Sequence, residues 1–149
     1  MTTALHVTFR VGTAEYALPA AQVLHLESFE SATHVPGAPA YVAGLVQVRG
    51  RVVPVVDLRT RFGLPPVERT LDSRVVVVQH GTRIAGLLVD SAREVVKLDD
   101  TTFAPPPEII ADQTAGFVTA VVAVASRLLL LVDVPRVLGE ELSHGQEER

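Results

Sequence analysis

The thirteen residues Arg51-Val52-Val53-Pro54-Val55-Val56-Asp57-Leu58-Arg59-Thr60-Arg61-Phe62-Gly63 return without a gap, 76 positions later, as Arg127-Leu128-Leu129-Leu130-Leu131-Val132-Asp133-Val134-Pro135-Arg136-Val137-Leu138-Gly139. Each copy starts on an arginine, runs through apolar residues to an aspartate and ends on a glycine. A run that recurs at about half the length of a 149-residue chain points to two similar units. Apolar runs also align by chance, which is the alternative to a true repeat. In each copy the aspartate, Asp57 or Asp133, stands where a helix N-cap accepts amide hydrogen bonds. The expected helices run from Leu58 to Phe62, stopped by Gly63 and Pro65, and from Val134 to Leu142.

The rest of the chain reads as strands. Valine accounts for 26 residues and isoleucine for 3, so the β-branched content that favours a pleated surface is supplied almost wholly by valine and threonine. Leu5, Val7, Phe9 and Val11 alternate with His6, Thr8 and Arg10, a period of two that buries one face. Further strands are expected over Glu15 to Pro19 and Val23 to Ser28, followed by a loop at His34 to Pro39. Leu45 to Val48 and Val52 to Val56 flank Arg49-Gly50-Arg51 as a hairpin in which glycine supplies a positive φ. Arg74 to Gln79 and Arg83 to Val89 do the same around His80-Gly81, and Phe117 to Val124 and Leu128 to Val132 around Ala125-Ser126-Arg127. The pattern leaves Ser91 to Val96 unassigned and reads Leu98 to Pro107, acidic and then proline-rich, as a connection between units.

Composition removes whole classes of function. With no cysteine there is no disulfide framework, thiol nucleophile or cysteine metal site. A net charge of −4 argues against a nucleic-acid partner. The longest apolar runs, Val118 to Ala125 and Leu128 to Val132, are too short to span a bilayer, and the start lacks an export signal, so a cytoplasmic protein without membrane insertion is expected. His6, His25, His34, His80 and His144 are dispersed without metal-ligand spacing, and glycines occur singly rather than in a phosphate loop. No serine sits in a GxSxG elbow. No catalytic residue, cofactor or metal is therefore expected, and function falls to surfaces.

Several collinear blocks carry a family resemblance: Phe9-Arg10-Val11-Gly12 with Glu15-Tyr16-Ala17-Leu18-Pro19; Val23-Leu24-His25-Leu26; Val35 to Leu45; and Gly86-Leu87-Leu88-Val89-Asp90 with Glu94-Val95. The most specific is Val48-Arg49-Gly50-Arg51-Val52-Val53-Pro54-Val55-Val56-Asp57-Leu58-Arg59. In order and spacing the chain resembles the CheW-like family, the coupling proteins of bacterial chemosensory arrays. The resemblance implies a mainly all-β fold of two small SH3-like five-stranded β-barrels sharing a hydrophobic core, with short helices including one at the C-terminus. Residues 1–149 would form one CheW-like domain of two intertwined barrel subdomains, with 143–149 a frayed tail. It further implies a non-enzymatic adaptor of chemotaxis signal transduction that scaffolds the cytoplasmic tips of methyl-accepting chemoreceptors with the regulatory domain of a CheA-type histidine kinase. Ring-type contacts with other CheW-like domains belong to the same picture, located in the cytoplasm at receptor arrays.

Carried over by position, the partner-binding residues are Val23, His25, Glu27, Gly44, Leu45, Arg49 and Gly50. Arg49 matches the arginine of the family's hairpin signature, and Val23 an apolar residue of its receptor-facing region. Taken alone, Arg49 also reads as a solvated turn arginine and Val23 as a core valine. Asp57 and Pro54 are assigned to the fold. Many members carry glutamate where this chain has His25, able to pair with the signature arginine; on a regular strand Val23, His25 and Glu27 share a face, so Glu27 would replace that charge. Gln47-Val48 stands where Asn-Leu is usual, and the last hairpin is valine-rich. These departures leave open a divergent scaffold of a motility or gene-control pathway that binds only one of the two partners. A small β-barrel enzyme or ligand-binding module is the reading from another class.

Overall fold

The computed structural model describes residues 2–113 and 116–139. Ten strands account for most of it: β1 (Thr3–Val11), β2 (Ala14–Pro19), β3 (Val23–Ser28), β4 (Val42–Val48), β5 (Arg51–Asp57), β6 (Arg74–His80), β7 (Arg83–Val89), β8 (Ser91–Asp99), β9 (Val118–Val124) and β10 (Arg127–Val132). Among the described residues three short α-helices accompany them, α1 (Leu58–Arg61), α2 (Glu108–Gln113) and, after β10, α3 (134–139), with single 3-10 turns at Ala20–Gln22 and Asp100–Thr102. Four of the strand pairs are hairpins closed by two residues, because Val11 faces Ala14, Val48 faces Arg51, His80 faces Arg83 and Val124 faces Arg127. Such short loops need positive φ to match strand twist. Gly12 and Gly81 provide it at 65° and 62°, whereas the β4–β5 turn uses both Arg49 (52°) and Gly50 (80°).

The strands form two five-stranded sheets, in the orders β8-β1-β2-β10-β9 and β3-β6-β7-β5-β4. These are one architecture used twice: a hairpin at the second and third places, a second hairpin at the fourth and fifth, joined by a parallel pairing. That pairing aligns Leu131 with Ala17 in the first sheet and Val55 with Gly86 in the second. Leu131 lies 76 residues after Val55, so the interval seen in the sequence is the structural one. Each sheet curls until its ends meet through a single bridge, Ala104 to Val121 in the first and Thr33 to Leu45 in the second. The backbone amides and carbonyls of each pair exchange two hydrogen bonds of 2.8–2.9 Å. Val121 and Leu45 are again 76 apart. The first barrel is built from both ends of the chain, since β1 and β2 pair with β8 and β10 after the whole second barrel has been made.

Burial follows the period of two. In β6, Val75 and Val77 point into the second barrel with Val53, Val55 and Leu88, while Val76 and Val78 point the other way, into a core shared with the first barrel. Phe9, Tyr16, Leu18, Leu58, Leu87 and Leu138 complete that shared core, and Ala17, Leu98, Val122, Leu129 and Leu131 fill the first barrel. A run of four valines buried on both faces is thus explained by its place between two cores. Phe9, Tyr16, Phe62 and Phe117 form a ladder of rings 5.1–5.8 Å apart through the shared core. Burial raises the Tyr16 hydroxyl above the usual tyrosine range.

Asp57 caps α1 as expected, its carboxylate accepting from the Arg59 amide at 3.0 Å. The Asp133 carbonyl accepts from the Val137 amide at 3.1 Å, opening α3. The structure assigns the stretch left open and corrects one reading. Ser91 to Val96 belongs to a strand, β8, whose alternation is broken by a bulge opposite Val7 and Phe9 and whose outer side chains are exposed. Leu98 to Pro107 does not connect the two units: it links β8 to β9 within the first barrel, and its Ala104 makes the closing bridge. The chain crosses between barrels at Ala20–Gln22 and at Asp90 instead. The end of the expected C-terminal helix at Leu142, His144 and the tail 143–149 lie outside the described residues.

Candidate docking surface

Strand β3 ends one sheet and carries three of the residues singled out from the sequence. They do not share a face. The β3–β6 register shifts between Val23 and His25, so Val23 faces Val78 and packs against the shared core, whereas His25 and Glu27 face Val77 and Val75 at the second barrel. A bulge that turns one side chain over is the physical reason. The expectation of one common face therefore holds for His25 and Glu27 only. The same shift leaves Leu24 and Leu26 39% and 47% exposed on an end strand, where a two-residue period normally hides the more apolar face. The two leucines stand in the block Val23-Leu24-His25-Leu26 but not among the residues assigned to partner binding; the signal for them was the inverted alternation of apolar and polar residues.

Glu27 reaches the signature hairpin. Arg49 Nε donates to Glu27 Oε2 at 3.3 Å, joining β3 to the turn between β4 and β5, with 67% of the arginine side chain and 31% of the glutamate side chain exposed. Arg49 is held at φ 52°, a left-handed conformation that costs a non-glycine residue about 1 kcal/mol. Gly50 at 80° completes the turn and leaves open space where a side chain would stand. Gly44 and Leu45 serve the barrel. Gly44 has φ 145°, and a Cβ there would overlap the Thr33 carbonyl, the group that accepts from the Leu45 amide in the closing bridge. The structure thus brings Glu27, Arg49 and Gly50 to one edge, with His25 nearby, and sets Gly44, Leu45 and Val23 into the frame beneath.

On another side of the molecule, Arg59 makes a two-pronged contact with Asp90, at 2.9 and 2.7 Å, and Asp90 also accepts from the Gly12 amide at 2.8 Å. Arg69 pairs with Asp57 and lies 3.9 Å from Asp90. Burial works to raise the Asp90 carboxyl, but the bonds from Arg59 and Gly12 and the charges of Arg59 and Arg69 outweigh it and hold it below the usual carboxylate range. This network pins the 62–73 loop to both barrels. Among the described residues no group of three histidines, aspartates or glutamates is placed to hold a metal ion. No helix among them is long and apolar enough to cross a membrane.

Residues 5–142 match the family model described as a CheW-like domain. The chain belongs to the CheW-like family. It is 34% identical over 135 residues to a chemotaxis protein CheW of Rhizobium meliloti, covering 91% of this chain and 87% of the relative. To the chemotaxis protein CheW of Bacillus subtilis it is 33% identical over 137 residues, covering 92% and 88%. The crystal structure of the scaffolding protein TtCheW from Thermoanaerobacter tengcongensis superimposes with a TM-score of 0.84 at 26% identity, covering 92% of this chain and 93% of that one. The two five-stranded sheets are the fold of that scaffold. This CheW-like chain is accordingly a non-enzymatic adaptor of chemotaxis signalling, and its chemistry is that of surfaces.

Proposed function

We propose that this adaptor couples the cytoplasmic tips of chemoreceptors to the regulatory domain of a CheA-type histidine kinase, in the cytoplasm at receptor arrays, and that the β3 edge with the β4–β5 hairpin is one of its two docking patches. The observation that carries this reading is the contact between Arg49 and Glu27. The resemblance implies, at the place of His25, a glutamate able to pair with the signature arginine; here a carboxylate reaches that arginine from two residues further along β3 and would supply the same charged edge. Val23, His25, Glu27, Arg49 and Gly50 line or support this patch, with Leu24 and Leu26 as its apolar part. Weak patches of about 800 Å² per partner or less become firm through the many copies of an array.

Isothermal titration against a receptor-tip fragment and, separately, the kinase regulatory domain tests the reading. Both are expected to bind, and Arg49→Glu is expected to abolish the receptor arm alone. Binding to a single partner would establish the divergent scaffold instead, and binding to neither would overturn the proposal.

A further inference from the structure

The two barrels have equivalent mouths, and the comparison between them is informative. The Leu131–Ala17 and Val55–Gly86 alignments make Ala17 and Gly86 counterparts, and therefore Glu15 and Ile84, two residues earlier on β2 and β7. Arg127 and Arg51, which start β10 and β5, are counterparts at the 76-residue interval. Thr8 faces Ala17 and Val77 faces Gly86; Thr8 exchanges hydrogen bonds of 3.0 and 3.1 Å with the Glu94 backbone, and Val77 faces His25, so Glu94 and His25 are counterparts too.

In the first barrel this mouth is filled by its own charges. Arg127 donates to Glu94 Oε1 at 2.6 Å and lies 3.7 Å from Glu15 Oε2, and Arg93 stands 3.8 Å from the same oxygen. In the second barrel both carboxylates are missing. Ile84 stands for Glu15 and His25 for Glu94, while the arginine remains as Arg51 and makes no ion pair among the described residues. In place of the internal carboxylates there is an open cavity of about 310 Å³ lined by Leu24, His25, Arg49, Arg51, Gln79 and Ile84 over a floor of valines. Among the described residues the lining holds no carboxylate, and Glu27, just outside it, is engaged by Arg49.

We propose that the mouth of the second barrel is a carboxylate-accepting docking site, which receives an aspartate or glutamate side chain of a protein partner between Arg51, Arg49 and His25. The first barrel shows how the scaffold satisfies an arginine at this position, and the second lacks the groups that do so. A chain of net charge −4 sets two arginines at this mouth, Arg49 paired with Glu27 and Arg51 without an ion pair among the described residues. The identity of the partner rests on the proposed function: Arg49, which carries the receptor arm there, also lines this mouth, so the acidic side chain belongs to the receptor tip.

The test follows backbone amide NMR shifts of the full chain on titration with an acetylated tetraglutamate amide, with tetraglutamine and inorganic phosphate as controls at constant ionic strength. Saturable shifts at residues 24–25, 49–51 and 84 are expected with tetraglutamate alone. Arg51→Glu should weaken them about tenfold or more. Ile84→Glu, which restores the carboxylate of the first barrel, should do the same; Arg51 is exposed, so its variant keeps the test valid if Ile84→Glu fails to fold. In parallel titrations Arg51→Glu should weaken binding of the receptor tip and leave that of the kinase regulatory domain unchanged. The absence of saturable shifts, shifts unchanged in Arg51→Glu, an equal response to phosphate, or unchanged affinity of Arg51→Glu for the receptor tip would each overturn the proposal. If tetraglutamate occupies the mouth while neither partner binds the unmodified chain, the site stands and the proposed function falls.

Discussion

Arg61 Nε donates to the backbone carbonyl of Val137 at 2.9 Å, and Val137 is the residue 76 positions on, its own counterpart in the second copy of the repeat. A residue that touches its counterpart lies where the two halves meet. The aromatic pair around it obeys the same rule: the Arg61 guanidinium is 3.7 Å from the centre of the Tyr41 ring and 4.8 Å from that of Phe117, and Tyr41 and Phe117 are also 76 apart. Their carbonyls play matching parts, accepting from the Asp57 and Asp133 amides at 2.8 Å. One guanidinium thus clamps the junction of the two barrels, with a further bond to the Arg136 carbonyl at 3.1 Å.

Arg61→Ala is expected to destabilise the protein by about 2–3 kcal/mol, the sum of charge-assisted bonds to two carbonyls and the ring contacts. Arg61→Lys should recover little, because an ammonium cannot stack between two rings while serving two carbonyls. Urea denaturation measures both; a loss below about 0.5 kcal/mol for Arg61→Ala would show that the shared core alone holds the barrels together.

The network at Asp90 makes part of the stability acid-sensitive. Its carboxyl is held below the value it has in the unfolded chain, so its contribution is fully present above that unfolded value, about pH 4, and is lost as pH falls through the lower folded value. Asp90→Asn should therefore cost about 2 kcal/mol at neutral pH, where Arg59 loses its partner, and much less in strong acid. Denaturation at pH 7 and at pH 3 checks the sign, and an equal deficit at both contradicts it.

How much of this was legible before any coordinates depends on the range of the interactions. Hairpins could be read because Gly12, Gly50 and Gly81 mark turns between alternating runs, and the repeat because its two copies keep one spacing. The Glu27–Arg49 pairing could be anticipated from a two-residue strand period. The position of Val23 could not, because a bulge has no fixed sequence mark, and the same kind of bulge hid β8. Arg61 with Val137, Arg59 with Asp90, and the single bridges that close the barrels join residues with no local pattern between them.

Gly44 separates frame from surface. Alanine there meets the Thr33 carbonyl and a backbone at φ 145°, so Gly44→Ala should cost about 2 kcal/mol or more by opening the second barrel. Thermal melting should show this whether or not a partner is present. If stability is unchanged while partner binding is lost, Gly44 acts at the surface and its place in the frame is misread.

Arg49 makes the opposite prediction. It sits in a left-handed conformation at the first position of a two-residue turn whose second position is Gly50, the setting in which asparagine is favoured. The ion pair it would lose is largely exposed, and such pairs contribute about 0–1 kcal/mol. Arg49→Asn should therefore leave stability unchanged or raise it by up to about 1 kcal/mol while weakening receptor-tip binding. A conformational cost kept in place of an easier residue is what a binding role at this position would require. Undiminished binding in a variant of equal or greater stability would mean that the arginine is an ordinary solvated turn residue, and the docking patch would have to be sought along Leu24 and Leu26.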